Sequence, residues 1–183
     1  IAERIHGMGR LVEKGLASLG YEQENQYFFD TLKVSVSDKA KLRTLAEAAS
    51  VNLRFFEDDF VGISVDETTH LTDVEALLQL FAEAADKPLQ FDLKHEAENL
   101  SFNFTEAISR KSAYLTHPVF NSFHSEHEML RYIKKLENKD LSLVHSMISL
   151  GSCTMKLNAA TEMMPLSWPE FGQLHPFAPI SQA

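Results

Sequence analysis

The chain has 183 residues, of which 44% are hydrophobic and 23% charged, a globular composition that excludes a disordered polypeptide. Its 17 Lys and Arg against 26 Asp and Glu give a formal net charge of -9, and no basic run could follow a phosphate backbone, so we predict no nucleic-acid partner. No apolar run approaches the roughly 18 residues of a membrane span, so we predict no membrane partner either. The single cysteine cannot form an internal disulfide, which fits a reducing compartment.

An amphipathic helix is predicted at residues 1–20, which we assign as a connecting helix. Apolar residues recur at three- and four-residue intervals from Ile5 to Leu19, and Gly20 supplies a C-terminal stop. Three internal glycines each lower the intrinsic helicity by roughly 1 kcal/mol relative to Ala. We therefore expect this helix to depend on packing, in part against segments outside the chain.

Residues 21–87 are predicted to form a small α+β domain of order β-α-β-β-α. We expect a strand at 27–36, a helix at 39–50 capped by Asp38, and two strands at 51–56 and 60–65 joined by the acidic turn 57–59. Gly62 indicates a bulge or a close backbone approach. A capping box from Thr72 to Glu75 opens a second helix that ends near Ala85. The expected architecture is a mostly antiparallel sheet with helices on one face.

Residues 88–122 show no clear periodicity and are predicted to be a long connector that lies on a partner surface. Its apolar residues are too many to leave in water; they are Phe91, Leu93, Phe102, Phe104, Ile108 and Tyr114. Segment 123–183 opens with a helix, from a capping box at Ser125–Glu128 to about Glu137. His124 and His127 stand beside Glu126 and Glu128, but the capping box accounts for the glutamates and no further spaced ligand follows. We therefore predict no metal site.

The residues best suited to chemistry lie between Gly151 and Asn158, in the run Gly-Ser-Cys-Thr-Met-Lys-Leu-Asn. A glycine permits close backbone approach to a ligand, and the polar side chains can bind an anion or orient a small polar substrate; they are Ser152, Thr154, Lys156 and Asn158. The same residue types are common in tight turns and helix caps, and spacing alone does not choose between these interpretations. Weaker pocket candidates are Cys153, which we favour as a buried small hydrophobe over a redox-sensitive thiol, and His175, which follows an aromatic stretch at 167–171.

Several long runs closely resemble the glycine cleavage system P-protein family. They are Thr-His-Pro-Val-Phe-Asn at 116–121, residues 125–132, 151–158, 168–171 and 175–177, together with 27–32 and Val-Gly-Ile-Ser-Val-Asp-Glu-Thr-Thr at 61–69. The resemblance implies a protein of two homologous halves, each similar to fold type I pyridoxal-phosphate transferases. Residues 21–87 would then end the first half, residues 88–122 would connect the halves, and residues 123–183 would start the second.

The activity implied by the resemblance is decarboxylation of glycine with pyridoxal phosphate, with transfer of the aminomethyl group to the lipoyl arm of the carrier H-protein. Implied partners are that carrier, glycine, the remainder of the P-protein, and a second copy or half. The implied location is the cytoplasm of a bacterium or the mitochondrial matrix of a eukaryote.

One departure from the family pattern concerns the cofactor. The Schiff-base lysine of the family follows a histidine and precedes a glycine-rich run, and this chain has no His-Lys pair and no such run. We therefore predict that the chain alone binds no pyridoxal phosphate and is inactive. Lys156 is not that lysine; its expected roles are a solvated or salt-bridged side chain, or an ion pair with a substrate carboxylate or cofactor phosphate.

An alternative function is a free-standing ferredoxin-like module that senses an amino acid or binds a partner, because β-α-β-β-α is also most of that fold. Residue 1 is Ile rather than Met, and 179–183 form no finishing element, so we expect a piece of a longer protein. The absence of a targeting peptide then does not indicate a location.

Overall fold

The computed structural model of the chain describes residues 1–100, 106, 109–139, 145 and 159–180. It forms two compact units, Ile1–Ile108 and Ser109–Ala183. Within the described residues, no helix has both the length and the apolar character needed to cross a membrane. The assignment of the predicted segments to two halves of a larger protein stays a prediction.

The first unit is built from four helices and three short strands. Its elements are α1 (Ala2–Leu19), β1 (Thr31–Ser35), α2 (Lys39–Ala48), β2 (Arg54–Phe55), β3 (Phe60–Ser64), α3 (Leu71–Ala84) and α4 (Leu93–Glu98). The strands form one antiparallel sheet of order β1-β3-β2, in which Leu32 of β1 pairs with Ile63 of β3. The predicted β-α-β-β-α order and the α+β class are confirmed.

The core of this unit lies between the sheet and its helices. Alternate residues of β1, Leu32 and Val34, are fully buried, and Val61 and Ile63 of β3 lie opposite them. The intervening residues Thr31, Lys33 and Ser35 are exposed or partly so, which is the period of two expected for a sheet covered on one face. Burial of each large aliphatic side chain contributes about 1.5–3 kcal/mol, so the inward face of the sheet fixes where the helices pack.

Helix α1 packs against α3 of its own unit, and its packing against segments outside the chain stays a prediction. A Cβ atom at Gly15 would lie 2.4 Å from Cδ1 of Leu78, a side chain with no exposed surface. Only glycine therefore allows the two helices to approach this closely. The predicted stop is confirmed: Gly20 has a left-handed φ of 90°, and its amide donates to the Ala17 carbonyl over 3.0 Å.

The starts of α2 and α3 test two predicted caps. Asp38 caps α2 as predicted, its carboxylate accepting from the Lys41 amide over 2.9 Å. The predicted box at Thr72–Glu75 is wrong, since α3 starts at Leu71 and its N-cap is His70. The Asp73 carboxylate accepts from the His70 amide over 2.8 Å. Leu71 packs on the core as the first helical residue, which moves the start of the helix forward.

The β2–β3 hairpin is shorter than predicted. The Val51 amide donates to the Ala46 carbonyl over 2.8 Å and so finishes α2 instead of starting a strand. Lys39 Nζ donates to the carbonyls of Phe56 over 2.7 Å and of Asp58 over 2.5 Å, which attaches the acidic turn to the start of α2. Gly62 is a close approach and not a bulge, because it pairs in regular register and a Cβ there would lie 3.1 Å from Cε2 of Phe56.

Part of the predicted connector belongs to the first unit. Leu93 of α4 is buried and Phe91 is half-buried, both against the unit's own core. Lys14 of α1 pairs with Glu96 of α4 over 2.7 Å. The prediction that these apolar groups cover a partner surface is therefore wrong for 89–100. Of the other predicted contacts, Tyr114 is exposed, and Phe102, Phe104 and Ile108 lie outside the described residues.

The second unit contains short helices and little described core. Its elements are a 3-10 helix at Pro118–Asn121, α5 (Glu126–Glu137), α6 (Ala160–Met163), a 3-10 helix at Met164–Ser167 and α7 (Pro169–Gly172). The capping box of α5 is confirmed: Ser125 Oγ accepts from the Glu128 amide over 3.3 Å, and the Glu128 carboxylate accepts from the Ser125 amide over 3.1 Å. No residue of α5 is buried.

Candidate functional site

The main predicted pocket lies outside the part of the chain that the structure describes. This applies to Ser152, Cys153, Thr154, Lys156 and Asn158. Their roles stay predictions from residue type and from the family resemblance.

His175, the remaining pocket candidate, is exposed and closes a turn. Its Nδ1 accepts from the Phe177 amide over 3.1 Å, and its carbonyl accepts from the Ala178 amide over 2.9 Å. Because Nδ1 is the acceptor, the neutral ring carries its proton on Nε2, which is left to donate to another group. The turn therefore fixes the orientation of the ring, and a place for His175 in a pocket wall stays a prediction.

An open groove of about 340 Å³ lies between α1, the start of α3 and the end of α4. Its lining is mainly apolar, with Met8 and Leu11 from α1, Leu71 from α3 and Leu100 after α4. Glu3 and Arg4 are the charged residues in the lining. A groove of this character suits an apolar chain better than a charged ligand.

Arg4 connects this groove to the loop that joins β3 to α3. Its guanidinium donates to the carbonyls of Glu67 over 2.8 Å and of Thr69 over 2.6 Å. Within the loop, the Asp66 carboxylate accepts from the Thr68 hydroxyl over 2.7 Å and from the Thr68 amide over 2.9 Å. These hydrogen bonds lower the pKa of Asp66 below its usual value. The largest effect comes from the Thr68 hydroxyl, and the Thr68 amide and the hydroxyl and amide of Thr69 add to it. Arg4 and Asp66 thus hold the loop from both sides.

The described residues do not fit a pyridoxal-phosphate site. Such a site needs a lysine whose amine is available to the cofactor carbonyl inside a pocket. Six described lysines are held by other groups: Lys14 by Glu96, Lys33 by Glu24, Lys41 by Asp86 and Lys134 by Glu137, with Lys39 and Lys87 on backbone carbonyls. No lysine lines the groove formed by the described residues. No chemical step is assigned to this cofactor within the described part of the chain.

The histidines before α5 have structural contacts. His117 Nδ1 accepts from the Val119 amide over 3.1 Å at the start of the 3-10 helix. A ring nitrogen of His124 lies 2.8 Å from the Asn121 carbonyl, and its amide donates to Glu128 over 3.1 Å. Within the described residues, no group of three or more His, Cys, Asp or Glu side chains is placed to hold a metal ion.

Two residues of the first unit have roles that sequence reasoning missed. Arg4 carries no local signal, because its two carbonyl partners lie 63 and 65 positions away. His6 is only 7% exposed, with Nδ1 2.8 Å from the Phe29 carbonyl and its ring stacked on that of Phe29. The turn at Asp66 did carry a signal, since an aspartate with threonines two and three positions later is typical of side-chain-capped turns.

The chain is similar to proteins of known name. Residues 1–81 match the family model of the glycine cleavage system P-protein. The whole chain is 48% identical to "Glycine dehydrogenase (decarboxylating) 1, mitochondrial" of Arabidopsis thaliana and 52% identical to "Glycine dehydrogenase (decarboxylating)" of Aliivibrio salmonicida (strain LFI1238). It is also 48% identical to the mitochondrial protein of that name from Pisum sativum. The chain spans 18%, 19% and 17% of the lengths of these three relatives.

Proposed function

Because this chain belongs to the glycine cleavage system P-protein family, we propose that it is part of a pyridoxal-phosphate-dependent glycine decarboxylase. The observation that supports the proposal is an identity of 48% to 52% over the whole chain to relatives named as decarboxylating glycine dehydrogenases. In the proposed reaction, glycine loses its carboxyl group as CO2, and its aminomethyl carbon forms a C–S bond with the oxidised lipoyl arm of the H-protein, whose S–S bond breaks and takes up the electron pair. The protein works in the cytoplasm of a bacterium or the mitochondrial matrix of a eukaryote.

The chain's part in this activity is structural in its first unit. The β-α-β-β-α order, with an antiparallel sheet covered on one face, is compatible with the small domain of a fold type I transferase half. The chain has no His-Lys pair, so the lysine that binds pyridoxal phosphate lies in a part of the full-length protein outside these 183 residues. Arg4 and Asp66 keep the β3–α3 loop in one conformation, which gives the rest of the protein a fixed surface to pack on.

The run 151–158 is our proposed contribution to the active site. Ser152, Thr154 and Asn158 supply neutral hydrogen-bonding groups, and Lys156 supplies a cation for a substrate carboxylate or a cofactor phosphate. This proposal is supported by residue type and by the family resemblance. Cys153 is assigned as a small apolar residue of the same wall.

The decisive experiment uses the full-length protein that contains this chain. We expect it to exchange labelled bicarbonate into glycine when H-protein is present and to show the absorbance of bound pyridoxal phosphate, while the 183-residue chain alone does neither. A full-length protein without exchange and without the absorbance would overturn the proposal. Calorimetry of the 183-residue chain with glycine tests the ferredoxin-like sensing module, which predicts binding.

Single substitutions in the full-length protein test the pocket residues. Ser152→Ala or Thr154→Ala should lower kcat/KM by more than the roughly fivefold that a lost neutral hydrogen bond of about 1 kcal/mol explains. Ser35→Ala is the matched control, because Ser35 lies exposed at the end of β1. Unchanged kinetics for both pocket variants would leave these residues with a turn role only.

A further inference from the structure

Helix α5 carries an apolar stripe that nothing in the described structure covers. Met129, Leu130, Ile133 and Leu136 are 42%, 56%, 53% and 43% exposed, and the spacing of these residues places them on one side of the helix. Tyr132 extends the stripe and stacks on Phe123 with ring centroids 4.2 Å apart. We call these five α5 residues the α5 stripe.

The α5 stripe is too apolar to be a water-facing surface. Full burial of one such aliphatic side chain is worth about 1.5–3 kcal/mol, so covering the four half-exposed ones gains several kcal/mol. Contiguous apolar surface of this kind marks a site of contact with protein or membrane. The opposite side of the helix carries charged groups such as Arg131 and Lys135, which keep that side in water.

The size of the α5 stripe decides between a second copy and a segment of the same polypeptide. A helix of 12 residues is about 18 Å long and about 10 Å wide, a footprint of roughly 200 Å². A stable interface between separate chains buries about 800 Å² on each partner. Even if side-chain relief doubles the footprint, α5 reaches only half of that. A segment of the same polypeptide needs less contact area, because its packing does not cost the translational and rotational freedom of a second molecule.

We propose that the α5 stripe is covered by a part of the same polypeptide that lies outside residues 1–183. The proposal rests on the proposed function, since the relatives provide the additional chain: the 183 residues span 18% of the Arabidopsis thaliana protein and 19% of the Aliivibrio salmonicida protein. The charges of α5 define its partner further. Glu126 lies in the first turn, four and seven positions before Leu130 and Ile133 and so on the side of the stripe, and the covering element therefore carries a basic group near Glu126.

Hydrogen exchange of the unsubstituted proteins gives the first test. The α5 amides of the full-length protein should exchange roughly 100-fold more slowly than those of the 183-residue chain, because covering the helix suppresses its local opening. Equally fast exchange in the two proteins would overturn the proposal, because nothing would then cover α5. Equal protection in both would also overturn it, because the cover would then lie within these 183 residues.

Cysteine labelling gives the second test and identifies the occupant. Ile133→Cys should react with a maleimide roughly 100-fold more slowly in the full-length protein than in the 183-residue chain. Arg131→Cys, on the charged side of α5, is the control and should react at the same rate in the full-length protein and in the 183-residue chain. The mass of the labelled peptide distinguishes either introduced cysteine from the natural Cys153. Protection of Ile133→Cys that disappears on dilution would assign the stripe to a second copy and overturn the proposal. The labelling needs neither glycine nor H-protein, so a full-length protein without decarboxylase activity can still support or overturn it.

Discussion

Substitution of Gly15 by alanine tests the close crossing of α1 and α3. The new methyl group would lie 2.4 Å and 2.5 Å from the two Cδ atoms of Leu78, a fully buried side chain that cannot turn away without disturbing the core. Overpacking of this kind destabilises by about 1–3 kcal/mol. Alanine also raises the helix propensity of α1 by about 1 kcal/mol, which offsets part of the cost. We expect a net loss of up to about 2 kcal/mol in the free energy of unfolding.

Gly7→Ala is the matched control, since Gly7 lies on the same helix but lines the open groove. Only the propensity gain applies there, so this variant should be more stable by about 0.5–1 kcal/mol. Urea unfolding of the 183-residue chain, followed by circular dichroism, measures both changes. Equal stabilisation by both substitutions would refute the packing argument. So would a Gly15→Ala/Leu78→Ala double variant whose loss equals the sum of the two single losses, because residues in contact should not be additive.

Three further outcomes follow from the first unit. Lys39→Met should lower the free energy of unfolding in urea by about 1–3 kcal/mol, because the hydrogen bonds to the Phe56 and Asp58 carbonyls are lost. Lys94→Met, at an exposed position of α4, is the control and should change the urea midpoint little. Equal effects of the two substitutions would contradict the role of Lys39. Because folding lowers the pKa of Asp66, its carboxylate stabilises the fold at pH values above the ordinary pKa of about 3.9, and this stabilisation is lost as pH falls through the lowered pKa of the folded state. Asp66→Asn should therefore lower the free energy of unfolding at pH 7 and lower it less near pH 3. A loss of stability that does not change with pH would refute this. Residues 1–108 alone should melt cooperatively, because the core from Leu11 to Leu93 lies within them, and a gradual melt would count against an independent unit.

The fold of the first unit was largely predictable because its signals are local. The strand predicted at 27–36 is found at Thr31–Ser35, and the Asp38 cap and the Gly20 stop, which each act over a few residues, are both confirmed. The start of α3 was misplaced because Asp73 and Glu75 both suit a capping box, and the packing of Leu71 decides between them. The partner of Phe91 and Leu93 was misplaced for a similar reason: composition predicts that such residues are covered, but not by which surface.

The candidate site was less predictable, since its groups act over long sequence separations. The contacts of Arg4 with the β3–α3 loop depend on the folded sheet and have no counterpart in local sequence. His6 likewise lies on Phe29 only once α1 has packed. For the run 151–158, residue type suggests polar recognition, but a pocket also needs walls from distant segments, which no short motif specifies.

The distance along the chain between α1 and its partner affects how the protein is made. The Tyr21 hydroxyl donates to the Phe81 carbonyl over 3.0 Å, and Lys87 Nζ donates to the Leu19 carbonyl across a separation of 68 residues. At a synthesis rate of about 5–20 residues per second, α1 leaves the ribosome roughly 3 to 14 seconds before those partners exist. During that interval the face of α1 that packs on α3 lacks this partner. The glycines that lower its helicity delay the formation of an exposed amphipathic helix, and the one at position 15 then permits tight docking once α3 has been synthesised.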